Sequence, residues 1–321
     1  MKKTLCLLLA LLLLLPLVGC EKEESTAARI WTLNGTTGFG MAPLMTAEAE
    51  KYTFTVEKDA ANVRDALLSG EADIATLPTN VAASLYHATN GGIKVLALNT
   101  GGVLYVVGTD NAPTTLEGLA GRTLFVPAQN PYFITKALLD KAKIANVTLD
   151  STTYATPEAL RDAVADGLVE LAVLPEPMVT IAQNAAAAAE RTLTVALDLT
   201  AEWDKHFTKG SLVQGCVVVR TAFLNEHPAL VREFLADYRA AIACVNQNPE
   251  SAAAQIAAAG IFANAAVAAA AIPRCNILYL DGNEMKAALS AFLAEMPAAS
   301  IGGELPDDDF YCVYHTETII D

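Results

Sequence analysis

The sequence predicts an α/β protein built from two similar lobes, preceded by a cleavable N-terminal signal. Three observations predict this. Strand-like and helix-like segments alternate along most of the chain. One helix–turn–strand phrase occurs twice, and the N-terminus has the pattern of an export signal. About 300 residues follow the signal, which is enough for two domains with separate cores.

The N-terminal segment has the features of a lipoprotein signal peptide. Lys2 and Lys3 precede an apolar run over residues 5–17 that is short for a membrane span and ends in "LVGC". A small residue before Cys20 resembles the lipobox of bacterial lipoproteins. We therefore expect residues 1–20 to be the signal with its lipobox and Cys20 to carry the lipid. Residues 21–28 are expected to form a flexible tether. The signal and the lipid together predict a protein outside the cytoplasm, anchored to the bacterial cell membrane.

Net charge and cysteine content narrow the function classes. The net charge is −15, and −17 once Lys2 and Lys3 are removed, so nucleic acid is excluded as a partner by repulsion from phosphate. Cysteines 216, 244, 275 and 312 lie in the last third of the chain, and their spacing fits neither a zinc site nor a redox pair. Export permits disulfides among them, but buried thiols are the preferred interpretation.

The first half of the chain alternates strands with helices that have recognisable ends. A strand over 29–35 enters a Gly-rich turn, and a helix and a strand with alternating polarity follow over 40–58. A helix over 59–69 stops at Gly70, and a strand ends at Pro78. A helix capped by Thr79 or Asn80 precedes two strands over 93–108, for which we predict a break at 99–102.

The pattern then restarts. Residues 114–130 read as a short helix, a Gly turn, a strand and a polar loop, and Pro131 opens the next helix. After a strand over 147–154, Thr156 caps a helix that ends at Gly167, and a strand ending at Pro175 follows. Beyond residue 220 the chain is mostly helical, with helices predicted over 227–246, 249–259 and 285–296.

The repeated phrase has a constant offset of 97 residues. "VRDALLSGEADIATLP" ends at Pro78 and "LRDAVADGLVELAVLP" at Pro175, with Asp73 replaced by Glu170. A single long period of this kind indicates two similar lobes rather than a solenoid. The Arg-Asp pair in each copy is expected to be outer-helix decoration.

Taken in order, these phrases resemble the substrate-binding lipoproteins of ABC importers, of the nitrate/sulfonate/taurine and thiamine-precursor type. "GEADIATLPTNVA", "TTLEGLAGRTLFVPAQN" and "VVVRTAFLNEHPALVREFLADYRAAIACVNQNPESAA" carry the resemblance, which covers nearly all of the mature chain. It implies a type II periplasmic-binding fold with two hinge-strand crossings, which we place near residues 104–108 and 215–220. Lobe 1 is then 29–105 plus 217–321, and lobe 2 is 106–216.

Ligand-binding residues are expected beyond the carboxyl ends of the strands, where open α/β sheets bind their ligands. The helix N-termini at residues 34–38 and 128–132 would attract the acceptor atoms of a ligand. Because no Arg or Lys lies in these loops to pair with an anion, neutral and zwitterionic solutes remain possible ligands. Glu176 would meet an amine and Tyr132 a ring, and Thr79-Asn80 is expected to face Glu176-Pro177. The candidates are Thr36, Thr37, Gly38, Thr79, Asn80, Asn99, Thr100, Gln129, Asn130, Tyr132, Glu176 and Gln214.

The resemblance implies a monomeric, non-enzymatic protein without cofactor or metal. It captures a small solute (a carboxylate or sulfonate, a zwitterion or a small heterocycle) and delivers it to an ABC permease and its ATPase. Two alternatives stay open: an enzyme on the same fold, similar to pyrimidine-precursor synthases or chorismate dehydratases, and a sensory lipoprotein.

Overall fold

The computed structural model describes residues 27–47 and 51–313. These residues form two α/β lobes, each built on its own β-sheet. The first sheet has the order β11-β4-β10-β3-β1-β2 and the second the order β7-β6-β8-β5-β9. The strands of the first sheet are β1 (Ala28–Leu33), β2 (Tyr52–Glu57), β3 (Ile74–Pro78), β4 (Ile93–Gly101), β10 (Val213–Arg220) and β11 (Ile277–Asp281). Those of the second are β5 (Leu104–Gly108), β6 (Thr123–Phe125), β7 (Thr148–Asp150), β8 (Leu171–Pro175) and β9 (Thr194–Asp198).

Strand direction is mixed in both sheets. β1, β2 and β3 are parallel, and β10 runs antiparallel to β3 and β4. In the second sheet β6, β7 and β8 are parallel, and β5 runs antiparallel to β8 and β9. Each lobe therefore gathers the carboxyl ends of its parallel strands at one edge, which is where such sheets bind ligands.

Thirteen helices are described in the two ranges, and they cover the sheets. They are α1 (Thr36–Phe39), α2 (Ala42–Ala47), α3 (Ala60–Ser69), α4 (Thr79–Ala88), α5 (Asn130–Lys141), α6 (Pro157–Ala165), α7 (Met178–Ala188), α8 (Leu199–His206), α9 (Thr221–Glu226), α10 (Pro228–Gln247), α11 (Pro249–Ala258), α12 (Ala265–Ala271) and α13 (Gly282–Leu293). The predicted late helices are confirmed as α10, α11 and α13. The central strands β3, β4, β5, β8 and β10 are buried on both faces, as expected of a sheet covered by helices, whereas the edge strands are partly exposed.

The repeated phrase forms the same helix–turn–strand unit in each lobe. α3 is capped by Asp59, whose side chain accepts a hydrogen bond from Ala61 N at 2.9 Å, and α6 by Thr156, which accepts from Ala159 N at 3.2 Å. Both units turn through glycine with positive φ, 79° at Gly70 and 73° at Gly167, a conformation that costs other residues strain. Local sequence signals therefore determine the unit twice.

The Arg-Asp pairs of the two units are surface ion pairs, as predicted. Arg64 and Asp65 approach to 2.9 Å, and Arg161 and Asp162 to 2.8 Å, with both carboxylates more than half exposed. Pairs of this kind contribute little to stability because water screens them.

The acidic position of the repeat differs between the lobes. Asp73 is buried and accepts hydrogen bonds from Arg29 Nη2 at 2.6 Å and from Arg220 Nη2 at 2.7 Å. Glu170, its counterpart, is largely exposed and lies 3.7 Å from Arg122. Asp73 thereby joins β1, β3 and β10, whereas Glu170 has no comparable role.

The passage between the sheets differs from the prediction. β4 does not break at 99–102 but continues to Gly101, because it pairs with β10 and β11 along this stretch. The chain then crosses at residues 102–103, and residues 104–108 already form β5 of the second sheet. The return comes before Val213, so residues 215–220 lie within the first sheet rather than at a hinge. Both crossings between the sheets therefore lie a few residues before the positions predicted for the hinges.

One hydrophobic cluster continues from the first lobe into the second. Its buried members include Leu98 of β4, Leu104 and Val106 of β5, and Val173 of β8. A separate cluster lies under α10 in lobe 1 and another under α6 and α7 in lobe 2. The shared cluster surrounds the crossing and ties the bases of both lobes together.

Cys216, Cys244 and Cys275 are free thiols, in agreement with the preferred interpretation, and Cys312 is buried. No helix within the described ranges is long and apolar enough to cross a membrane. Cys20 and the predicted tether, apart from its last two residues, lie outside the described residues.

Candidate functional site

The candidate site lies where the carboxyl ends of the parallel strands of the two lobes meet. Three helices begin at this edge without a side-chain cap: α1 after β1, α4 after β3, and α5 after β6. Their first N–H groups have no partner within the helix, so they are available to acceptor atoms. α6 and α7 also begin at this edge, but Thr156 and Glu176 accept hydrogen bonds from their first turns.

On the lobe 1 side, Thr36 and Thr37 are half-buried in the first turn of α1, as predicted. Gly38 is buried, and a Cβ at this position would lie 2.0 Å from the Leu33 carbonyl oxygen, so no larger residue fits. Asn99 Nδ2 donates to the Thr37 carbonyl at 3.1 Å and to Tyr238 Oη at 3.1 Å. Asn99 therefore holds the backbone of α1 at Thr37 in place and links it to Tyr238.

Four predicted ligand residues have partners inside the protein. Thr79 Oγ1 donates to the Val213 carbonyl at 2.9 Å, and Thr100 Oγ1 donates to Asn99 Oδ1 at 3.0 Å. Gln214 Oε1 accepts from the Val103 backbone N–H at 2.8 Å, beside the crossing. Thr79, Asn99 and Thr100 are also buried. The side chains of these four residues stabilise the scaffold beneath the site.

One polar contact across the cleft joins α4 and α5. Asn130 Nδ2 donates to Asn80 Oδ1 at 2.7 Å, so the first turns of two uncapped helices from opposite lobes meet. Asn130 Oδ1 is buried and has no hydrogen-bond partner among the described residues, which marks an unsatisfied acceptor in the cleft. The prediction that Thr79-Asn80 faces Glu176-Pro177 is wrong, since Asn80 faces Asn130.

Gln129 and Tyr132 lie next to this contact. Gln129 is exposed and has a φ of 66°, a conformation uncommon for residues other than glycine, immediately before α5 begins. Tyr132 is half-buried and packs edge-on against Phe133 with ring centroids 6.0 Å apart. One edge of α5 thus presents an amide and a ring beside Asn130.

Glu176 has a different surrounding from the predicted one. Its carboxylate is fully buried and accepts from Thr180 N at 3.2 Å and from Arg274 Nε at 2.6 Å. Arg274 comes from lobe 1, in a short turn over Ile272–Arg274 just before β11. The prediction of a free acid that meets an amine is therefore corrected, because an arginine of the protein occupies that position.

Burial controls the titration of the phenols around the site. Burial raises the pKa of Tyr105, and the nearby carboxylates of Asp198 and Glu176 raise it further. Burial likewise raises the pKa of Tyr238. Both phenols are therefore neutral hydrogen-bonding groups at physiological pH. Within residues 27–47 and 51–313 no cluster of three or more His, Cys, Asp or Glu residues is placed to hold a metal ion.

Arg274 and the Asn80–Asn130 pair are the features that sequence reasoning missed. Arg274 lies in "AIPRC", far along the chain from the predicted ligand-binding loops, and no local signal marks it. Asn80 and Asn130 were both candidates, but their contact depends on how two lobes meet.

Comparison with solved structures finds the same two-lobed fold. No family model and no curated protein matches the chain. A crystal structure described as an ABC transporter from Parabacteroides distasonis has 25% identity and a TM-score of 0.77, with 91% of this chain and 100% of that chain covered. The periplasmic aliphatic sulphonate binding protein SsuA from Escherichia coli has 17% identity and a TM-score of 0.65, over 84% and 85% of the two chains.

The alkanesulfonate-binding protein SsuA from Xanthomonas axonopodis pv. citri, bound to MOPS, has 13% identity and a TM-score of 0.57, with 84% of this chain and 94% of that chain covered. The predicted type II periplasmic-binding fold is therefore confirmed. The two sulfonate-binding proteins are less than 25% identical to this chain, so their similarity establishes the shared fold.

Proposed function

We propose that the protein captures a small organic solute with a sulfonate or carboxylate group between its lobes and delivers it to an ABC import permease. The observation that carries this proposal is the meeting of α4 and α5 at Asn80 and Asn130. Both helices begin without a side-chain cap, and each therefore offers unpartnered backbone N–H groups at the positive end of its dipole.

The chemistry of the neighbouring side chains fits an acceptor-rich ligand held by neutral donors. Thr36, Thr37 and Gln129 provide hydroxyl and amide groups at the same edge, and Tyr132 offers a ring for the organic part of the solute. Arg274 is already paired with Glu176, so it adds no net charge. Two of the structural neighbours are named as sulfonate-binding proteins, which supports this solute class.

Asn130 gives the proposed site its selectivity. Its Oδ1 atom has no partner among the described residues, so a solute that also carries an N–H or O–H donor satisfies it. Aminosulfonates and amino acids combine both groups, and we infer that they bind more tightly than sulfonates or carboxylates without a donor. Among the solutes that the sequence left possible, we therefore favour zwitterions with an amino group and a sulfonate or carboxylate group.

Anchoring and delivery form the second part of the proposal. Cys20, in the lipobox-like "LVGC", would carry the lipid and keep the protein at the membrane, where a permease receives the solute. Closure of the two lobes around the solute is the whole mechanism, and no bond is made or broken. The protein acts as a monomer, with each lobe presenting one face to the permease.

A thermal-shift panel tests the proposed site. Taurine, ethanesulfonate, glycine and a neutral sugar are added to the mature protein and to the variants Asn130→Leu and Asn62→Ala. A bound solute at a hundred times its dissociation constant adds about 2.7 kcal/mol of stability. We expect a shift with taurine that Asn130→Leu removes and that Asn62→Ala, a change at an exposed residue of α3, preserves.

Turnover of the candidate solutes without any stabilisation would contradict the transport function. A shift that persists in Asn130→Leu would instead place the solute elsewhere and refute the site while leaving the transport function intact.

A further inference from the structure

A second contact joins the two lobes, beside the crossing and away from Asn80 and Asn130. Arg274 of lobe 1 extends its guanidinium to lobe 2, where Nε donates to Glu176 Oε1 at 2.6 Å and Nη2 donates to Thr180 Oγ1 at 3.0 Å. Gln183 Oε1 accepts a further bond from Nη2 at 3.4 Å. Glu176, just before α7, and two residues within this helix therefore hold one arginine from the other lobe.

The two charges differ in their access to water. The Glu176 side chain is fully buried, whereas that of Arg274 is 36% exposed. If the lobes separated here, the arginine would be hydrated at once, but the carboxylate would keep only Thr180 as a hydrogen-bond donor. Separation would thus leave a buried charge without its counterion, which opposes opening at this point.

The backbone around Arg274 is attached to the crossing as well. Tyr105 Oη, on β5, donates to the Arg274 carbonyl at 2.8 Å, and Asn276 Nδ2 donates to the Gly102 carbonyl. The Glu176 backbone N–H donates to the Val103 carbonyl at 3.0 Å. The pair therefore lies where the first sheet passes into the second, and α12 also packs against α7 on this side.

We propose that Arg274, held by Glu176, Thr180 and Gln183, is an interlobe latch that favours the closed arrangement of the ligand-free protein. The latch needs no solute, because all of its groups belong to the protein. Its strength sets how often the cleft opens to admit or release a solute, since a contact made in only one of two arrangements shifts the equilibrium between them.

Hydrogen–deuterium exchange of the mature protein without added solute tests the latch. Arg274→Gln keeps a polar side chain but shortens it and removes its charge and its fork of donors. We expect amide exchange in residues 176–183 and 272–276 to rise about tenfold or more, because the closed arrangement loses its charge-assisted bonds. Small-angle scattering should show a larger radius of gyration for the same variant.

Two further variants make the test specific. Arg239→Gln is the matched control, because Arg239 is an exposed lobe 1 arginine whose ion pair with Asp281, at 2.7 Å, stays within its own lobe. It should leave exchange and radius unchanged. Thr180→Val keeps the shape of Thr180 and removes the hydroxyl between Glu176 and Arg274, and it should raise exchange in the same two segments by a smaller factor.

Wild-type exchange and radius in both Arg274→Gln and Thr180→Val would overturn the latch and show that this contact is only a pivot. If Arg274→Gln fails to fold, Thr180→Val alone decides between these outcomes. Because no solute is present in any sample, a failure of the proposed transport function would not affect the result.

Discussion

The buried carboxylate of Asp73 is a sensitive position for the stability of lobe 1. Asp73 accepts hydrogen bonds from the backbone N–H of Arg29 at 3.0 Å, from its Nε at 2.8 Å and its Nη2 at 2.6 Å, and from Arg220 Nη2 at 2.7 Å. The carboxylate is only 2% exposed, so these donors replace water almost completely. Asp73→Asn keeps the volume and removes the charge.

The cost of Asp73→Asn follows from these contacts. An asparagine retains one acceptor oxygen, but its NH₂ group faces guanidinium donors, so at least two charge-assisted bonds are lost. Each is worth about 1.5–3 kcal/mol, and removing one partner of a buried pair costs about 3–5 kcal/mol. Arg29 and Arg220 are 47% and 24% exposed and are partly rehydrated, which favours the lower end. We expect a loss of about 3 kcal/mol.

Calorimetry and urea unfolding measure this loss, which corresponds to a fall of about 6–12 °C in Tm. Glu170→Gln is the matched control, because Glu170 occupies the same place in the repeat but is 64% exposed and 3.7 Å from Arg122. It should cost about 0–1 kcal/mol, as exposed ion pairs do. Equal effects of the two changes would show that the hydrogen bonds from Arg29 and Arg220 to Asp73 do not stabilise lobe 1.

Two further predictions concern titration and thiol reactivity. Burial acts to raise the pKa of Asp73, but hydrogen bonds from Arg29 and Arg220 outweigh it and leave the pKa lowered. Because the pKa of Asp73 is lower in the folded than in the unfolded protein, its ionisation stabilises the fold at pH values above the ordinary aspartate pKa of about 3.9. This stabilisation is lost as the pH falls through the folded-state pKa, so Asp73→Asn should flatten the acid side of the stability–pH curve. Burial also raises the pKa of the Cys216 thiol, so iodoacetamide should label half-buried Cys244 before Cys216 in the native protein. Peptide mass spectrometry measures the labelling of each cysteine. Faster labelling of Cys216 than of Cys244 would refute the burial of the Cys216 thiol.

Local sequence signals were sufficient to predict most of the two lobes. The cap at Thr156, the glycines at 70 and 167 and the apolar strands that follow act over a few residues, and each formed the predicted element. The break at 99–102 failed because Asn99 and Thr100, which are typical turn residues, are instead buried in β4. Their side chains bond to Tyr238 and to each other, an arrangement that only the folded lobe provides.

The cleft was predictable in outline but not in its contacts. Thr36, Thr37, Asn80, Gln129 and Asn130 were chosen because they follow parallel strands, and the structure places them at that edge. Which of them meet depends on the relative position of two lobes, and nothing within a lobe encodes it. The same holds for Arg274, whose partners Glu176 and Thr180 lie more than 90 residues away in the sequence.

The repeat explains why the contacts between the lobes differ although the units agree. At the offset of 97 residues, Thr79 corresponds to Glu176, and both stand directly after the proline that ends a buried strand. Thr79 bonds to Val213 inside its own lobe, whereas Glu176 binds an arginine from the other lobe. The repeated helix–turn–strand forms part of each lobe. The residue directly after it differs, and this difference gives a contact within the lobe at Thr79 and a contact between the lobes at Glu176. Differences at this position are therefore where we expect related two-lobed proteins to vary in how readily they open.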